Sequence, residues 1–240
     1  MGLGRPRHSG VGFMATESSS APREYLSVRV SPISPGAIIG SSGGLVLRYA
    51  RDDDSDAIIA LVSRVWSEYP GKTLVAATDM PELLMPASAY GRNGGCFWVV
   101  EANGQIIGTI ALAPSVEDGV VELQKLYVAR DMRKNGLGSF LCSLVEREAR
   151  ERGAQAIELW SDVKLSDAHR RYERLGYRRG NALKTYSDTS STVRGYYRKE
   201  LDADQPALLG GELTPDASER WQILFHLAAE SGAVQGVAEP

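Results

Sequence analysis

Apolar and polar positions follow regular patterns along residues 45–201, whereas the segments on either side are patterned weakly or only locally. Alternation in "LVLRYA" (45–50) predicts a strand, and "DDDSD" after it predicts the start of a helix with one apolar face. "CFWVVEANGQIIGTIALAP" holds two apolar, β-rich runs around Asn103 and Gly104, the pattern typical of a tight hairpin. "VVELQKLYV" (120–128) predicts a further strand, and a short helix is expected around "DMPELLMP".

The pattern after this strand predicts helices and strands in alternation. A helix from about Gly136 to Arg152 has one apolar face and, on its other face, the ion pairs Glu146–Arg150 and Glu148–Arg152. "AIELWS" predicts a strand, "SDAHRRYERLG" a helix, and "ALKTY" and "TVRGYYRKEL" two closing strands. The resulting order, β-α-α-β-β-β-α-β-α-β-β, predicts a mixed α/β domain with a hairpin leading into a βαβ unit.

The chain divides into three regions. Residues 1–44 are rich in Ser, Gly and Pro, and we expect them to form a mostly disordered leader. Residues 45–201 are expected to form the single folded domain, with an extension on either side. Residues 202–240 are expected to form a polar linker and one amphipathic helix, "TPDASERWQILFHLAAESG". The apolar stripe around Trp221 and Phe225 predicts docking on the same domain or on a second copy, so a homodimer is one prediction.

Composition narrows the classes of function. A net charge of −3 and an isoelectric point near 5.7 give no global case for binding nucleic acid. No stretch approaches the roughly 18 to 20 apolar residues of a membrane helix, and the N-terminus has arginines without the apolar core of a signal peptide. Cys96 and Cys142 have neither metal-like nor disulfide-like spacing. We therefore expect reduced packing cysteines in a cytoplasmic protein, with no metal site and no membrane partner.

The corner between "VVELQKLYVARDM" and "RKNGLGSFLCSLVEREARERG" is the strongest candidate for a binding site. Gly136 and Gly138 remove Cβ atoms where the first amides of a helix lack intrahelical partners, and Arg133 and Lys134 add positive charge. This combination predicts a site for phosphate or pyrophosphate. A dinucleotide fingerprint requires a small residue where Leu141 stands, and a P-loop ending in "PGKT" lacks its first glycine, so both alternatives fail.

Two stretches carry a family resemblance. "LYVARDMRKNGLG" contains Arg-x-x-Gly-x-Gly after a strand and resembles the acetyl-CoA-binding motif of the Gcn5-related N-acetyltransferase (GNAT) superfamily. "AHRRYERLGYRR" (168–179) resembles its second signature, and "ELWSD" with "DAHRRYERLGY" is similar to an uncharacterised bacterial subgroup. The resemblance covers residues 45–201 and implies a mixed, mostly antiparallel central sheet flanked by helices, with acetyl-CoA as co-substrate. Leu165 is a departure, because many members have an asparagine there that contacts the cofactor arm.

The resemblance also implies which residues contact acetyl-CoA. Backbone pairing with pantetheine is implied at the end of the strand, at Leu126, Tyr127 and Val128. The pyrophosphate is implied to lie on the amides of the corner, at Arg133, Lys134, Asn135, Gly136, Leu137, Gly138 and Ser139. The oxygen charge that develops during attack would be stabilised by a backbone N–H of the same strand end, that of Val128.

Two side chains are candidates for proton transfer. A thioester is attacked by a neutral amine, whereas a lysine-like amine has a pKa of about 10.4, so a base must remove a proton. Glu122 lies on the strand that feeds the cofactor site and is the best-placed carboxylate. Tyr172 occupies the position where the superfamily commonly has the acid that protonates the departing thiolate. The competing interpretations are a solvated strand glutamate and a packed helix tyrosine.

Trp66, Glu68 and Tyr69 end the first helix, where the superfamily has its variable acceptor loops, and are candidates for acceptor contacts. Glu68 at that position favours a cationic acceptor. The sequence thus predicts an acyltransferase that moves an acetyl group from acetyl-CoA to a small-molecule or peptide amine by direct attack. A non-catalytic acyl-CoA-binding regulatory module and a longer acyl donor are the alternatives. Four acceptor classes stay open: a small amine, an antibiotic, a peptide N-terminus and a lysine.

Overall fold

An eight-stranded sheet organises the part of the chain that the structure describes. The structure is a computed structural model, and it describes residues 34–42, 44–134 and 136–201. Most of the predicted leader falls outside these residues, as do Asn135 and the C-terminal extension with its amphipathic helix and predicted dimer contact.

The sheet contains antiparallel neighbours throughout, with one exception. Its strands are β1 Ile38–Ser42, β2 Leu45–Tyr49, β3 Cys96–Ala102, β4 Gln105–Pro114, β5 Val120–Val128, β6 Ala156–Asp162, β7 Arg178–Thr185 and β8 Val193–Glu200. Their spatial order is β1-β2-β3-β4-β5-β6-β8-β7, and among these described strands only β5 and β6 run parallel. The predicted mixed, mostly antiparallel sheet is therefore confirmed.

The first strand was not predicted from the sequence. β1 lies within residues 1–44, the segment expected to form a mostly disordered leader, and it pairs antiparallel with β2. The connection is tight, because Ser42 is paired with Leu45 and Gly44 adopts a positive φ of 79°. "IIGSS" has no alternation of apolar and polar residues, so its strand conformation comes from the open edge of β2 and not from a local signal.

Helices cover both faces of the sheet, as predicted. They are α1 Ser55–Ser67, α2 Ala76–Asp79, α3 Pro86–Gly91, α4 Leu137–Glu151 and α5 Ser166–Arg174, with short 3-10 turns at Asp52–Asp54, Pro81–Leu84 and Arg130–Met132. Apolar side chains of α4 and α5 pack in one core against β3 to β6 and β8. Those of α1 and α3, with Met80 and Leu83 between them, pack in a second core on the opposite face, against β3, β4 and β5.

The predicted hairpin and βαβ unit are both present. Asn103 and Gly104 connect β3 to β4 with positive φ angles of 49° and 73°, the conformation that an Asn-Gly hairpin turn requires. β5, α4 and β6 form the parallel βαβ unit. Every residue predicted for the apolar face of α4 is buried, namely Leu137, Leu141, Leu144, Val145 and Ala149.

The other face of α4 carries both predicted ion pairs, Glu146–Arg150 at 3.9 Å and Glu148–Arg152 at 2.7 Å, and much of this face is buried. Glu146, Glu148 and Arg152 are all buried, and Arg152 is only 2% exposed. Arg152 donates from Nε to Glu148 at 2.7 Å and from its terminal nitrogen to the carbonyl of Gly94 at 2.5 Å. Lys199 of β8 donates to Glu146 at 2.8 Å. These ion pairs are buried because β8 and the loop before β3 cover this side of the helix, which local spacing does not reveal.

Candidate active site

A fork between β5 and β6 opens the middle of the sheet. The two strands pair only over Val120–Glu122 and Ala156–Glu158. β5 then continues to Val128 along β4, while β6 continues to Asp162 along β8. The strands diverge beyond their short pairing, so the facing edges have no partner among the described strands. A cleft of about 900 Å³ occupies the fork. It extends from the start of α4 and from α5 to the residues of β7 and β8.

A bulge bends β5 where the fork opens. Lys125 has a positive φ of 52°, and the register with β4 shifts between Thr109 and Ala111. The hydroxyl of Thr109 donates to the carbonyl of Lys125 at 2.8 Å and holds the bulge in place. A bulge increases local twist and bends the strand, which helps to separate β5 from β6.

Alternation along β5 determines which backbone groups face the fork. The amide of Ala129 donates to the carbonyl of Ile107 on β4 at 2.8 Å. Neighbouring residues of a strand point their N–H and C=O groups to opposite edges. The groups of Leu126 and Val128 therefore face the fork, while those of Tyr127 face β4. Two of the three residues expected to pair with pantetheine have the backbone orientation needed for it.

The start of α4 closes one end of the cleft with backbone amides. Gly136 is the N-cap residue, with φ at 83°, and it provides no side-chain cap to the amides of Leu137, Gly138 and Ser139. The first turn has no acidic residue, and a Cβ at Gly136 would meet no atom within 4 Å. Three amides that no side chain of the described residues caps, beside open space at a helix N-terminus, are suited to an anion.

Helix α5 adds positive charge at the same end. A Cβ on Gly138 would lie 3.0 Å from the guanidinium carbon of Arg171, so the glycine allows this side chain to cross the start of α4. Arg170 and Arg174 line the cleft as well. The sequence analysis assigned no function to these arginines, although they stand within the second signature. Leu165, the N-cap residue of α5, also lines the cleft and presents an apolar side chain where an asparagine was expected.

Glu122 lies at the base of the fork. It lines the cleft and stands in register with Glu158 on β6. Burial raises the pKa of Glu122 above its ordinary value of 4.5, and the nearby charge of Glu158 acts in the same direction. A hydrogen bond with Gln124 and the charges of Lys184 and Lys125 oppose this rise in pKa. The carboxyl group is thus shifted toward the range in which it exchanges protons near neutral pH.

Tyr172 was interpreted from the sequence either as a proton donor or as a packed helix tyrosine, and its position has features of both. Its ring packs against Tyr177 and Tyr197, with centroid distances of 5.9 and 5.8 Å. The same side chain lines the cleft. Burial raises the pKa of Tyr172 well above its ordinary value of 10.0, so the phenol stays protonated at neutral pH. A core tyrosine whose phenol is protonated therefore stands at the edge of the fork.

Two residues predicted to contact the acceptor lie at the cleft wall. Trp66 is only 8% exposed and belongs mainly to the core on the α1 face. Its indole nitrogen donates to the hydroxyl of Tyr127 at 3.4 Å, which joins α1 to the end of β5. Tyr69 lines the cleft just beyond the C-terminus of α1. Trp66 thus supports the wall more than it offers a surface to an acceptor.

Glu68 and Arg133 form an ion pair that connects two walls of the cleft. The guanidinium of Arg133 donates to both carboxylate oxygens of Glu68, each at 2.7 Å. Its Nε donates to the carbonyl of Val128 at 2.9 Å. Glu68 is neutralised by this pair and does not line the cleft, so the sequence-based argument for a cationic acceptor is not supported.

Sequence reasoning missed two ion pairs on the α1 side of the cleft. Lys72, which stands in the rejected "PGKT" motif, pairs with Asp162 at 2.5 Å and donates to the hydroxyl of Thr192 at 2.6 Å. Lys125 of the bulge pairs with Glu82. The partners are far apart in the chain, 120 positions for Lys72 and Thr192, so no local pattern identifies them.

Two cations on the last strands were missed as well. Lys184 and Arg194 are paired in register across β7 and β8, and both line the cleft. The ammonium of Lys184 lies 3.9 Å from the ring centroid of Trp160, and the guanidinium carbon of Arg194 lies 4.1 Å from that of Tyr186. Aromatic faces hold cations in place by cation–π attraction.

Residues 34–42, 44–134 and 136–201 contain neither a metal cluster nor a membrane-spanning helix. Within these ranges, no group of three or more His, Cys, Asp or Glu side chains could hold a metal ion. No helix in the same ranges is long and apolar enough to cross a membrane.

Comparisons with known proteins agree with this architecture. The sequence model of the acetyltransferase (GNAT) family matches residues 58–177. The uncharacterized N-acetyltransferase YjgM of Escherichia coli (strain K12) is 32% identical over 139 residues, which cover 55% of this chain and 81% of that protein. The aminoalkylphosphonate N-acetyltransferase of Salmonella typhimurium is 30% identical over 139 residues, covering 56% of this chain and 86% of that protein.

Solved structures share the fold. The structure of YncA from Salmonella typhimurium with its cofactor acetyl-CoA superposes with a TM-score of 0.52 at 21% sequence identity, and the match covers 68% of this chain and 96% of that chain. The match to the family model, the relatives and the forked sheet lead to one conclusion. This chain belongs to the GNAT family and is an acyltransferase.

Proposed function

We propose that this protein transfers an acetyl group from acetyl-CoA to an amine acceptor, by direct attack within a complex that holds both substrates. The observation that carries the proposal is the fork itself. It connects the uncapped amides of α4 at one end to the half-buried carboxyl group of Glu122 at its base. Two buried free cysteines, Cys96 and Cys142, suit a reducing compartment, and we infer that the protein works in the cytoplasm.

The residues at the start of α4 fit the phosphates of acetyl-CoA. The amides of Leu137, Gly138 and Ser139 would hold the pyrophosphate, with Arg171 beside them and open space at Gly136. The fork-facing N–H and carbonyl of Leu126 and the carbonyl of Val128 would pair with the pantetheine amides, as a further strand does. Acetyl-CoA supplies the acetyl group as a reactive thioester.

Glu122 is the general base in this proposal. An ammonium group must lose one proton before its nitrogen can form the new bond, and Glu122 accepts that proton in the cleft. Burial raises the pKa of Glu122, which makes its carboxylate a stronger base than an exposed glutamate. Glu158 sustains this effect from the neighbouring strand, where it accepts a hydrogen bond from Ser115 at 2.7 Å.

Tyr172 and the backbone N–H of Val128 stabilise the two negative charges of the reaction, one on the leaving thiolate and one on the thioester oxygen. The phenol of Tyr172 is protonated at neutral pH and donates its proton to the thiolate that leaves. The nitrogen loses its second proton as the amide forms, and this proton restores the phenol through solvent. The N–H of Val128 faces the fork and donates to the oxygen that gains negative charge during attack. Proton removal and proton delivery are thus assigned to opposite faces of the sheet, at Glu122 and at Tyr172.

The experiment is a screen of amines with acetyl-CoA that monitors the release of free thiol. The relative from Salmonella typhimurium is named for an aminoalkylphosphonate, so small acidic amines belong in the screen with peptides and lysine. We expect at least one amine to release thiol and Glu122→Gln to lower kcat/KM by about 10² to 10⁴. Glu200→Gln is the matched control, because Glu200 is an exposed glutamate of β8 that pairs with Arg198 and lies outside the cleft lining, so its variant should keep the wild-type kcat/KM.

The same screen separates the alternatives. A protein that binds acetyl-CoA in calorimetry and releases no thiol with any amine would be a non-catalytic acyl-CoA-binding module, and the proposal would fail. Repeating the screen with longer acyl-CoA donors tests the acyl specificity, because a longer chain must fit within the fork beside Leu165.

A further inference from the structure

We infer that Lys184 and Arg194 bind an acidic group of the acceptor, so that the protein acetylates small amines carrying a carboxylate, phosphonate or phosphate. This inference rests on the proposed function and adds the class of acceptor. It starts from the row of charged side chains that crosses four strands beside the fork, formed by Glu122, Asp162, Arg194 and Lys184.

Strand register places these four side chains on one face of the sheet. Glu122 is paired with Glu158, which lies four residues before Asp162 on β6. Asp162 is paired with Arg194, and Arg194 with Lys184. Directly paired residues, and residues separated by an even number along a strand, share a face. This is the face on which α1 and α3 cover β3 to β5, and on which residues of β6, β7 and β8 line the cleft.

Most charges in this half of the cleft already have partners. Asp162 is paired with Lys72, and Lys125 with Glu82. The carboxylate of Asp79 accepts hydrogen bonds from the amide of Val75 and from the amide and hydroxyl of Thr189, at 2.7 to 2.8 Å. These groups are neutralised or engaged, so none of them presents an uncompensated charge to an acceptor.

Lys184 and Arg194 differ from those groups. No carboxylate of the described residues forms an ion pair with either of them, and each lies instead over an aromatic ring, Trp160 or Tyr186. An aromatic face fixes the position of a cation and leaves its charge available to an anion. A lysine beside an arginine is suited to a group with several acceptor oxygens, such as a carboxylate or a phosphonate.

The acceptor amine would then lie between this cation pair and Glu122. Glu122, Lys184 and Tyr186 all line this cleft, and burial there raises the pKa of Glu122 while the charge of Lys184 opposes the rise. Arg194 lines the same cleft, as does Tyr127 at the end of β5. An acceptor whose acidic group binds Lys184 and Arg194 can therefore present its amine toward the base of the fork.

The cations are placed for the acceptor and not for the phosphates of acetyl-CoA. The proposed phosphate site is at the start of α4, on the opposite face of the sheet, where Arg171 lies beside Gly138. Lys184 and Arg194 instead share the face of α1 to α3 with Glu122. Variants at these two positions should consequently change the selectivity for acceptors and leave the affinity for CoA in place.

The test compares matched amines that differ only in the acidic group. One pair is 2-aminoethylphosphonate and 2-aminoethanol, and the other is β-alanine and β-alanine amide, so the arms distinguish phosphonate from carboxylate. For the wild-type protein we expect kcat/KM to favour the acidic member of at least one pair by about tenfold or more. In the double variant Lys184→Met with Arg194→Gln, this ratio should fall by about tenfold or more, mainly through KM.

Arg178→Gln is the matched control. Arg178 is an exposed cation of the same strand as Lys184 and lies outside the cleft lining, so its variant should keep the wild-type ratio. Equal kcat/KM for acidic and neutral amines in the wild type would overturn the inference while leaving the acetyltransferase proposal intact. So would a ratio that survives in the double variant, or a loss of CoA affinity in it.

Calorimetry decides the inference even if no amine is acetylated. Each acidic amine is titrated into the protein saturated with CoA. Binding by the wild type and its loss in the double variant would support an anion site at Lys184 and Arg194, although the proposed function would have failed. No binding of either acidic amine by the wild type would overturn the inference directly.

Discussion

The two halves of the cleft are built from different parts of the protein. The cofactor half, which we propose binds acetyl-CoA, is made of backbone: the amides that start α4 and the fork-facing groups of β5. The acceptor half is made of side chains from α1, β5, β6, β7 and β8, many of them far apart in sequence. The first half depends on a local glycine pattern, and the second depends on how distant strands are paired. The backbone half suits a constant co-substrate, while the side-chain half can change between relatives without disturbing the fold.

The largest loss of activity is expected from a substitution at Tyr172, where the two halves of the cleft meet. Tyr172→Phe keeps the ring that packs on Tyr177 and Tyr197 and removes the hydroxyl. If the phenol protonates the leaving thiolate, kcat should fall by about 10² to 10⁴, with CoA affinity nearly intact, because the lost interaction belongs to the transition state. Steady-state kinetics of thiol release, with calorimetry of CoA, measure both quantities.

Tyr177→Phe is the control for this change. Tyr177 is a neighbouring buried tyrosine outside the cleft lining, and its hydroxyl has no hydrogen-bond partner among the described residues. Removing it deletes the same atom from the same core. A Tyr172→Phe variant that turns over within about threefold of the wild type would return Tyr172 to a packing role, since acid catalysis is worth far more than that.

The next largest effect is expected on CoA binding, from a substitution that changes only the cofactor half. Gly136→Asp places a carboxylate in the open space beside the uncapped amides of α4. We expect the Kd for CoA to rise by about tenfold or more, which corresponds to about 1.4 kcal/mol of binding free energy. Isothermal titration calorimetry with CoA measures it.

A second glycine of the same helix provides the control. Gly153 follows the C-terminus of α4, has φ at 80°, and also has open space around its Cβ position. Gly153→Asp therefore imposes a similar backbone strain far from the proposed phosphate site. CoA binding that is equally weakened by both substitutions would contradict a specific role for Gly136.

The halves also differ in how well the sequence predicted them. The corner at Gly136 was found because a strand, two glycines and an amphipathic helix are adjacent in the chain. Lys184 and Arg194 were not found, because β8 lies between β6 and β7 and their register appears only in the folded sheet. β1 was missed for the same reason, since it depends on the open edge of β2. Local order predicted the fold and the backbone site, whereas long-range pairing determined the side-chain site.

A smaller effect is expected in the pH dependence of kcat/KM, which tests the residues of the acceptor half. If Glu122 is the base, it must be deprotonated to act, so kcat/KM should rise with pH through a midpoint above 4.5. Lys184 lowers the pKa of Glu122, so Lys184→Met should move this midpoint to higher pH. Glu158 raises that pKa, so Glu158→Gln should move the midpoint to lower pH. The pH profiles are measured with a neutral amine, for which Lys184 and Arg194 are not needed. If both variants shifted the pH midpoint in the same direction, the result would contradict Glu122 as the base.

The smallest effect concerns the ion pair that joins the halves. Glu68→Gln releases Arg133, whose guanidinium can then approach the phosphates at the start of α4. Exposed ion pairs contribute about 0.2 to 1 kcal/mol, so the Kd for CoA should fall by up to about fivefold. Glu151→Gln, which removes the partner of Arg147 in an exposed pair on α4, is the control. Weaker CoA binding in Glu68→Gln would show that the pair itself supports the cofactor half.

The central claim is that the backbone half binds CoA and the side-chain half selects the acceptor. Its most direct test is calorimetric titration of CoA into two proteins, Gly136→Asp and the double variant Lys184→Met with Arg194→Gln. We predict that the Kd for CoA rises about tenfold or more in the first and stays within about twofold of wild type in the second. A Kd that rises in the double variant as much as in Gly136→Asp would contradict the division of the cleft.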